Sequence, residues 1–196
     1  MPRFVDHDLR RTEAIEALLD LIVDEGISAV TSRSLAHRLG LSNGALWRYF
    51  QDKDELLASA YRTVVDRTNQ RVETSLSSLD GIDAVHALMQ ELLPVNETTR
   101  NEARIVVNFW GSSATRAPGT NTAGRPELRD WEQRICALLA RSIEAGELRE
   151  NTPVEVLATM FVAYAVDAQV EFVFNTAIEA DAISQPVTAL LDSFRS

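Results

Sequence analysis

The sequence predicts an all-α protein of about nine helices, in which a three-helix head of the helix-turn-helix type precedes a larger helical bundle. Apolar residues recur at helical spacing along most of the chain, capping residues stand where these stripes begin, and no segment alternates as a β-strand would. The composition, 45% hydrophobic and 24% charged over 196 residues, suits a globular protein with a substantial core. The pattern changes near residues 50–55, which predicts two domains, residues 1–55 and 56–196.

The head is predicted from its apolar stripes and its capping residues. The first helix covers about residues 8–25 and ends at a glycine. Thr31 caps a second helix that ends at Gly40, and Ser42 caps a third, very short helix that reaches Phe50. Two short helices separated by a turn are typical of a helix-turn-helix.

Six further stripes predict the bundle. They cover about residues 52–79, 82–94, 105–110, 128–146, 154–174 and 183–194. The run Thr152-Pro153-x-Glu155 predicts that Thr152 caps the eighth helix, which is apolar nearly all round and should be buried on more than one side. Residues 115–126 show no periodicity and are predicted to be a loop, the most mobile segment of the chain.

Positive charge is concentrated in residues 31–53. Four basic residues against Asp52 give this segment a net charge of +3, whereas the whole chain carries −10. So acidic a chain repels polyanions as a whole, and any contact with nucleic acid must be focused through a few arginines and helix N-termini. This favours a sequence-specific regulator over a protein that coats nucleic acid.

The third helix has the composition of a helix that enters the major groove. Asn43 can pair with adenine, Gly44 lets the backbone approach base edges, and Arg48 can bind a phosphate or a guanine edge. Leu46 and Phe50 are predicted to face the core of the head. An ordinary corner between two helices, with an exposed arginine, is the plainer alternative. The predicted DNA-contacting residues are Thr31, Arg33, Ser34, Ser42, Asn43, Gly44, Ala45, Trp47, Arg48, Tyr49 and Lys53.

Residues 10–57 resemble the DNA-binding head of TetR-family transcriptional repressors. The family pattern is matched by Glu25-Gly26, Thr31, Leu35-Ala36, the run from Gly40 to Phe50, and Lys53-Asp54-Glu55-Leu56. Trp47 stands where the family usually has tyrosine. Tryptophan keeps a hydrogen-bond donor and a flat aromatic face, but its side chain extends differently from that of tyrosine. From Arg104 to Arg195 the chain is similar to the BetI-like subgroup, which is typified by a choline-responsive repressor. That similarity does not imply that choline is the ligand here.

The resemblance implies a ligand-responsive repressor that binds a palindromic double-stranded DNA operator as a homodimer and is released by a small-molecule effector. It implies an effector pocket in the bundle, for which the candidate residues are Met89, Phe109, Trp110, Trp131, Phe161, Tyr164 and Phe172. Any one of these aromatic or soft side chains can instead be ordinary core. The last two helices pair across the twofold axis in this family, and the candidate dimer contacts are Ala163, Asp167, Ala168, Glu171, Phe174, Val187, Leu191 and Phe194.

The sequence carries no catalytic motif, so we expect neither an enzyme nor a cofactor. The only acidic residue placed three before a histidine is Asp83, before His86, and phosphate-loop, nucleophile-elbow and zinc spacings are absent. A single cysteine, Cys136, excludes an internal disulfide and a multi-thiolate metal site, and it is predicted to be core filler. A polar N-terminus, and no apolar run near the ~20 residues that cross a bilayer, favour a cytoplasmic protein without membrane contact. A helical adaptor whose head has lost DNA binding remains the alternative.

Overall fold

The computed structural model describes residues 7–26, 29–114 and 125–196. The helices of this described part are α1 (His7–Glu25), α2 (Ser32–Arg38), α3 (Asn43–Leu46), α4 (Lys53–Leu76), α5 (Gly81–Leu92), α6 (Glu97–Ala114), α7 (Pro126–Glu144), α8 (Val154–Phe174) and α9 (Ala180–Asp192). The only strand-like feature in the described ranges is an isolated bridge between Leu148 and Arg195. The all-α prediction is confirmed. The predicted loop at 115–126 lies outside the described residues, except for its last two positions.

The chain packs as two compact units, and the chain passes from one to the other within α4 and within α6. The head unit comprises the described residues as far as Val64, together with Arg104–Ala114. The bundle unit comprises Val65–Ala103 and the described residues from 125 onward. These packing units are bounded differently from the predicted domains, 1–55 and 56–196, and that functional division stays a prediction.

Each unit has its own apolar core. In the head, the side chains of Leu18, Leu35 and Leu46 are completely buried, so α1, α2 and α3 each contribute to one interior. In the bundle, α5, α7 and α8 supply most of the buried surface, and α9 packs its stripe of Ile183, Val187 and Leu191 against them. Burial of this kind is the main favourable term in folding such helices.

The start of α5 depends on a carboxylate from the segment between α7 and α8. The backbone N–H of Ile82 donates to Glu147 Oε2 at 2.9 Å, which satisfies one of the donors that a helix N-terminus leaves open. Gly81 has a φ of +60°, and a Cβ atom placed there would lie 2.1 Å from the same carboxylate oxygen. Glycine is therefore favoured at this position by its left-handed backbone, and an added Cβ atom would also displace the Glu147 carboxylate that caps α5.

Several predicted helix ends differ from the structure, most of all for α6, which runs from Glu97 to Ala114 and not only over residues 105–110. Helix α3 stops at Leu46 instead of reaching Phe50, because the N–H groups of Arg48 and Tyr49 bond to carbonyls three residues back in turns. Helix α4 ends at Leu76 and not near Leu79. Thr152 does not cap α8, because its hydroxyl donates to the Arg149 carbonyl at 2.6 Å within the preceding turn.

The prediction that α8 is buried on more than one side is wrong for one of its faces. Val156, Met160 and Phe174 are 57%, 48% and 83% exposed, and Ala163 and Asp167 are exposed between them. These positions recur at i, i+4, i+7, i+11 and i+18, the spacing of a single helical face. Helix α8 therefore carries an exposed face from Val156 to Phe174 that is mostly apolar, with Asp167 and Glu171 as its charged members, and that the described residues of the protomer do not cover.

Candidate nucleic-acid interface and effector bundle

The helices α2 and α3 are fixed by the two caps that the sequence predicts. The Thr31 side chain accepts a hydrogen bond from the Ser34 N–H, while the Ser34 hydroxyl oxygen accepts from the Thr31 N–H, which completes a capping box. Ser42 accepts from the Ala45 N–H at 3.3 Å. The Ser34 hydroxyl also donates to the Ala29 carbonyl at 2.8 Å, so Ser34 helps to cap α2, and its contact with DNA stays a prediction.

The side chains predicted to read DNA lie on the surface of the head unit. Asn43, Gly44 and Arg48 are exposed, as are Arg33 and Lys53. Within the described ranges, no ion pair neutralises Arg33, Arg48 or Lys53. These three cations are therefore available to a polyanion.

The remaining predicted contacts are less exposed. Ala45, Trp47 and Tyr49 are half-buried, each with part of its surface open, while Thr31 and Ser42 are exposed. Leu46 and Phe50 are 0% and 2% exposed, so their predicted place in the core is confirmed. Burying these two residues keeps the opposite face of α3 turned outward, where it can meet a groove.

Charge counting along the sequence overestimates the basic surface. Arg38 forms an ion pair with Asp24, and the hydrogen bond that Arg38 donates to this carboxylate raises the pKa of Arg38 above its usual value. Asp24 lies on α1, fourteen positions away, and no local pattern reveals the pair. The working basic surface is formed by Arg33, Arg48 and Lys53.

The turn after α3 is held by side chains of α1 and α4, which sequence reasoning missed. His7 Nε2 donates to the Arg48 carbonyl at 3.3 Å, and Arg11 donates to the Tyr49 carbonyl and to Glu55. The rings of His7 and Tyr49 lie 5.1 Å apart. The nearest signal in the sequence is the spacing of Asp52 and Glu55, which is typical of a helix cap and indicates nothing about α1.

The residues predicted to line an effector pocket are distributed over both packing units. Met89, Trp131, Phe161 and Phe172 are buried in the bundle unit. Phe109 and Trp110 belong to the head unit, where Phe109 stacks on Tyr61 with 4.2 Å between ring centroids and Trp110 donates to the Tyr61 hydroxyl at 3.3 Å. Four of these six residues therefore belong to the bundle unit and two to the head unit, and their role at an effector pocket stays a prediction.

Tyr164, the seventh predicted pocket residue, has a structural role. Its hydroxyl donates to the Ile183 carbonyl at 2.7 Å, and burial raises the pKa of this phenol. Pro186 lies inside α9, where proline donates no backbone N–H and crowds the carbonyl one turn earlier. Tyr164 therefore ties α8 to the turn of α9 that proline disturbs.

An open cleft of about 490 Å³ lies on the bundle unit beside α4 and α5. It is lined by Arg67, Gln70, Arg71, Thr74, Ser75 and Glu91, and none of the predicted aromatic residues lines it. Arg71 is held at this cleft by two carboxylates. It bonds to Glu91 at 2.8 Å and to Glu102 at 2.6 Å and 2.9 Å, and it thereby joins α4 to α5 and α6.

The predicted dimer contacts separate into two sets. Ala168, Val187 and Leu191 are 6%, 2% and 0% exposed and pack inside the core of the protomer, so we reassign them from the interface to the core. Ala163, Asp167, Glu171 and Phe174 are exposed on α8, and Phe194 is half-buried. An apolar stripe in the sequence does not reveal whether it packs inside its own protomer or against a partner. The predicted dimer contacts therefore include both buried and exposed residues.

Helix α8 is long and apolar enough to cross a membrane by length and composition, with a mean hydropathy of 1.5. The expectation that no such run exists is therefore wrong for α8. However, Leu157, Phe161 and Phe172 of this helix are buried in the bundle core, and core helices of helical bundles satisfy the same criterion. Searching the described residues for clusters of histidine, cysteine and carboxylate side chains finds none that could hold a metal ion.

Comparison with known proteins agrees with this architecture of a helix-turn-helix regulator. The family model of bacterial regulatory proteins of the tetR family matches residues 14–60, and that of the C-terminal part of BetI-type transcriptional repressors matches residues 81–194. The second match covers more than half of the 196 residues. The chain therefore belongs to the TetR family of transcriptional regulators, with a C-terminal part of the BetI type.

Individual relatives point the same way. The transcriptional regulator PksA of Bacillus subtilis is 34% identical over 110 residues, which span 56% of this chain and only 54% of that protein. BetI of Serratia proteamaculans is 25% identical over 76% of both chains.

Among solved structures, a regulator from Saccharomonospora viridis in complex with choline superposes with a TM-score of 0.84 at 20% identity, covering 96% of this chain and 99% of its own. A regulator from Rhodococcus sp. Rha1 gives a TM-score of 0.76 at 24% identity, covering 94% and 95%. The predicted family and the predicted function in DNA-binding transcriptional regulation are confirmed.

Proposed function

We propose that this protein is a repressor that binds a palindromic operator as a homodimer and leaves it when a small molecule binds in the bundle. The observation that carries the DNA-binding half is the exposure of Arg33, Arg48 and Lys53, which no ion pair within the described ranges neutralises. Phosphates attract these cations, and Asn43 and Gly44 lie where base edges would approach. The curated relatives are regulators, which favours this function over catalysis.

The uncovered apolar face of α8 supports the homodimer. A monomer rarely leaves large apolar side chains such as Val156, Met160 and Phe174 exposed along one helix, whereas a twofold partner would bury the same face of both copies. Two heads related by that axis would contact half-sites one or more DNA turns apart, at ~34–36 Å per turn. A palindromic operator follows from this symmetry.

The path from bundle to DNA is proposed to run through α4. This helix is continuous from Lys53, a candidate phosphate contact, to Leu76 in the bundle, where Arg71 anchors it to Glu91 and Glu102. An effector that repacks the bundle would shift α4 and, with it, the head. Emptying an operator from 99:1 to 1:99 takes a differential binding energy of ~5.5 kcal/mol, which two bound effectors can share.

Selection from a pool of random DNA duplexes tests the DNA-binding proposal. We expect the purified protein to enrich an inverted repeat, and enrichment of no sequence would contradict the proposal. Sedimentation tests the homodimer. The wild type should sediment as a dimer and Met160→Glu as a monomer, whereas Ala137→Glu, at another exposed position on α7, should leave the dimer intact. A mass spectrum of the native protein with a retained organic molecule would identify the effector.

A further inference from the structure

The turn that follows α3 is held from outside the helix. Helix α3 has four residues, too few to be stable by its own hydrogen bonds. Beyond its end, the carbonyls of Arg48 and Tyr49 accept hydrogen bonds from side chains of α1, namely His7 and Arg11. The peptide groups that carry two candidate DNA contacts are therefore fixed by a different helix.

Arg11 and Glu55 complete this clamp. The second guanidinium nitrogen of Arg11 donates to Glu55 Oε1 at 2.9 Å, and Glu55 Oε2 accepts from the Gln51 N–H at 2.6 Å. The guanidinium carbon of Arg11 also lies 4.6 Å from the centroid of the Phe50 ring. The backbone N–H of Gln51 and, next, the hydrogen bond from Arg11 lower the pKa of Glu55, so this carboxylate is charged at neutral pH.

We infer that Arg11 and Glu55, with His7, are positioning residues that hold the turn Trp47–Gln51 in its DNA-binding shape. This inference rests on the proposed function, because it concerns how the head meets DNA. None of the three residues needs to touch DNA. With the turn fixed beforehand, Arg48 and Tyr49 bind without first losing conformational freedom.

The charge of Glu55 makes the inference testable. Simple electrostatics predicts that removing a carboxylate from a DNA-binding head strengthens binding, because one source of repulsion to phosphate disappears. The clamp predicts the opposite result for Glu55. Arg11→Lys is equally informative, because it keeps the positive charge but removes the guanidinium group. A single ammonium cannot replace the two guanidinium nitrogens that donate separately to the Tyr49 carbonyl and to Glu55.

The experiment measures affinity for the duplex that the wild type selects and for a scrambled duplex. The matched control is Glu13→Ala, which removes the carboxylate partner of the neighbouring Arg10, an exposed pair at 2.7 Å on the same helix. We expect Glu55→Ala and Arg11→Lys to weaken binding of the selected duplex about tenfold each. We expect Glu13→Ala to stay within about twofold of the wild type or to bind more tightly. Binding of the scrambled duplex should change little, and the double variant should be no weaker than either single variant.

Backbone exchange in the free protein gives a second measurement. The amide hydrogen of Gln51, which loses its acceptor in Glu55→Ala, should exchange faster, while melting curves show that the variant is folded. If Glu55→Ala binds the selected duplex as tightly as Glu13→Ala does, the clamp has no positioning role. If the wild type itself selects no duplex, the proposed function fails and this inference with it.

Discussion

The ion pairs of Arg71, which anchor α4 to α5 and α6, give the sharpest test of how the bundle unit is stabilised. Arg71 pairs with Glu91 and Glu102 through three short hydrogen bonds, and the three side chains are 29%, 18% and 13% exposed. Replacing Arg71 with methionine keeps most of the aliphatic volume but leaves two largely buried carboxylates without a cation. Breaking a fully buried pair in this way costs about 3–5 kcal/mol, and an exposed pair costs about 0–1 kcal/mol.

Partial exposure places Arg71→Met between these limits, at about 2 kcal/mol of lost unfolding free energy. For a chain of this length that corresponds to a fall in Tm of about 4–8 °C. The assay is thermal unfolding followed by circular dichroism at one fixed protein concentration, because association would also shift Tm. The matched control is Arg134→Met, which breaks another arginine–glutamate pair of α4, with Glu73, at 2.6 Å but 37% and 67% exposed.

The control should lose no more than about 0.5 kcal/mol. Adding Glu102→Gln to Arg71→Met should recover part of the lost stability, since one unpaired carboxylate disappears. Equal losses from Arg71→Met and Arg134→Met would refute the reasoning, because burial would then have no influence on the strength of the pair.

Three further predictions concern other parts of the molecule. Arg48→Ala and Lys53→Ala should each weaken binding of the selected duplex, and Lys53→Ala should reduce the slope of log affinity against log salt by about one unit; unchanged affinity in both would disprove their role as DNA contacts. Gly81→Ala should lower the unfolding free energy in urea by about 2 kcal/mol, from the left-handed backbone and the displaced carboxylate that caps α5. Gly111→Ala, where a Cβ atom meets nothing within 4 Å, should not destabilise the protein, and equal losses at both glycines would count against the argument. Burial lowers the pKa of His86 in the folded protein, so the unfolded chain binds a proton at this histidine before the folded protein does as the pH falls. The unfolding free energy should therefore decrease as the pH drops below about 6.5. Urea titrations at pH 5 to 7 should show a smaller decrease for His86→Gln.

The parts of the fold that depend on near neighbours could be predicted from the sequence. The caps at Thr31 and Ser42 involve residues only three positions away, and the structure contains both. Leu46 and Phe50 face the core as helical spacing predicts. The capping role of Ser34 was missed, because a serine near a helix start suits a phosphate contact equally well.

What could not be predicted depends on contacts between distant segments. The pair of Arg38 with Asp24, the Tyr164 bond to α9 and the clamp of Arg11 each join residues that only the tertiary fold brings together. The exposed face of α8 was misread for a related reason. Apolar residues all round a helix indicate burial, but they do not say whether a partner chain provides part of it.

Site-directed DNA cleavage tests most directly the claim that the exposed side of α3 and its following turn meet the DNA. Cys136 is the only cysteine, so a Cys136→Ser chain with Gln51→Cys, an exposed position in this turn, can carry an iron chelate at one place. Bound to its selected duplex, this protein should cut the DNA at two symmetric clusters within the half-sites. The same chelate on exposed Ala140→Cys in α7 should give no such clusters. Clusters from position 140 and none from position 51 would contradict the account.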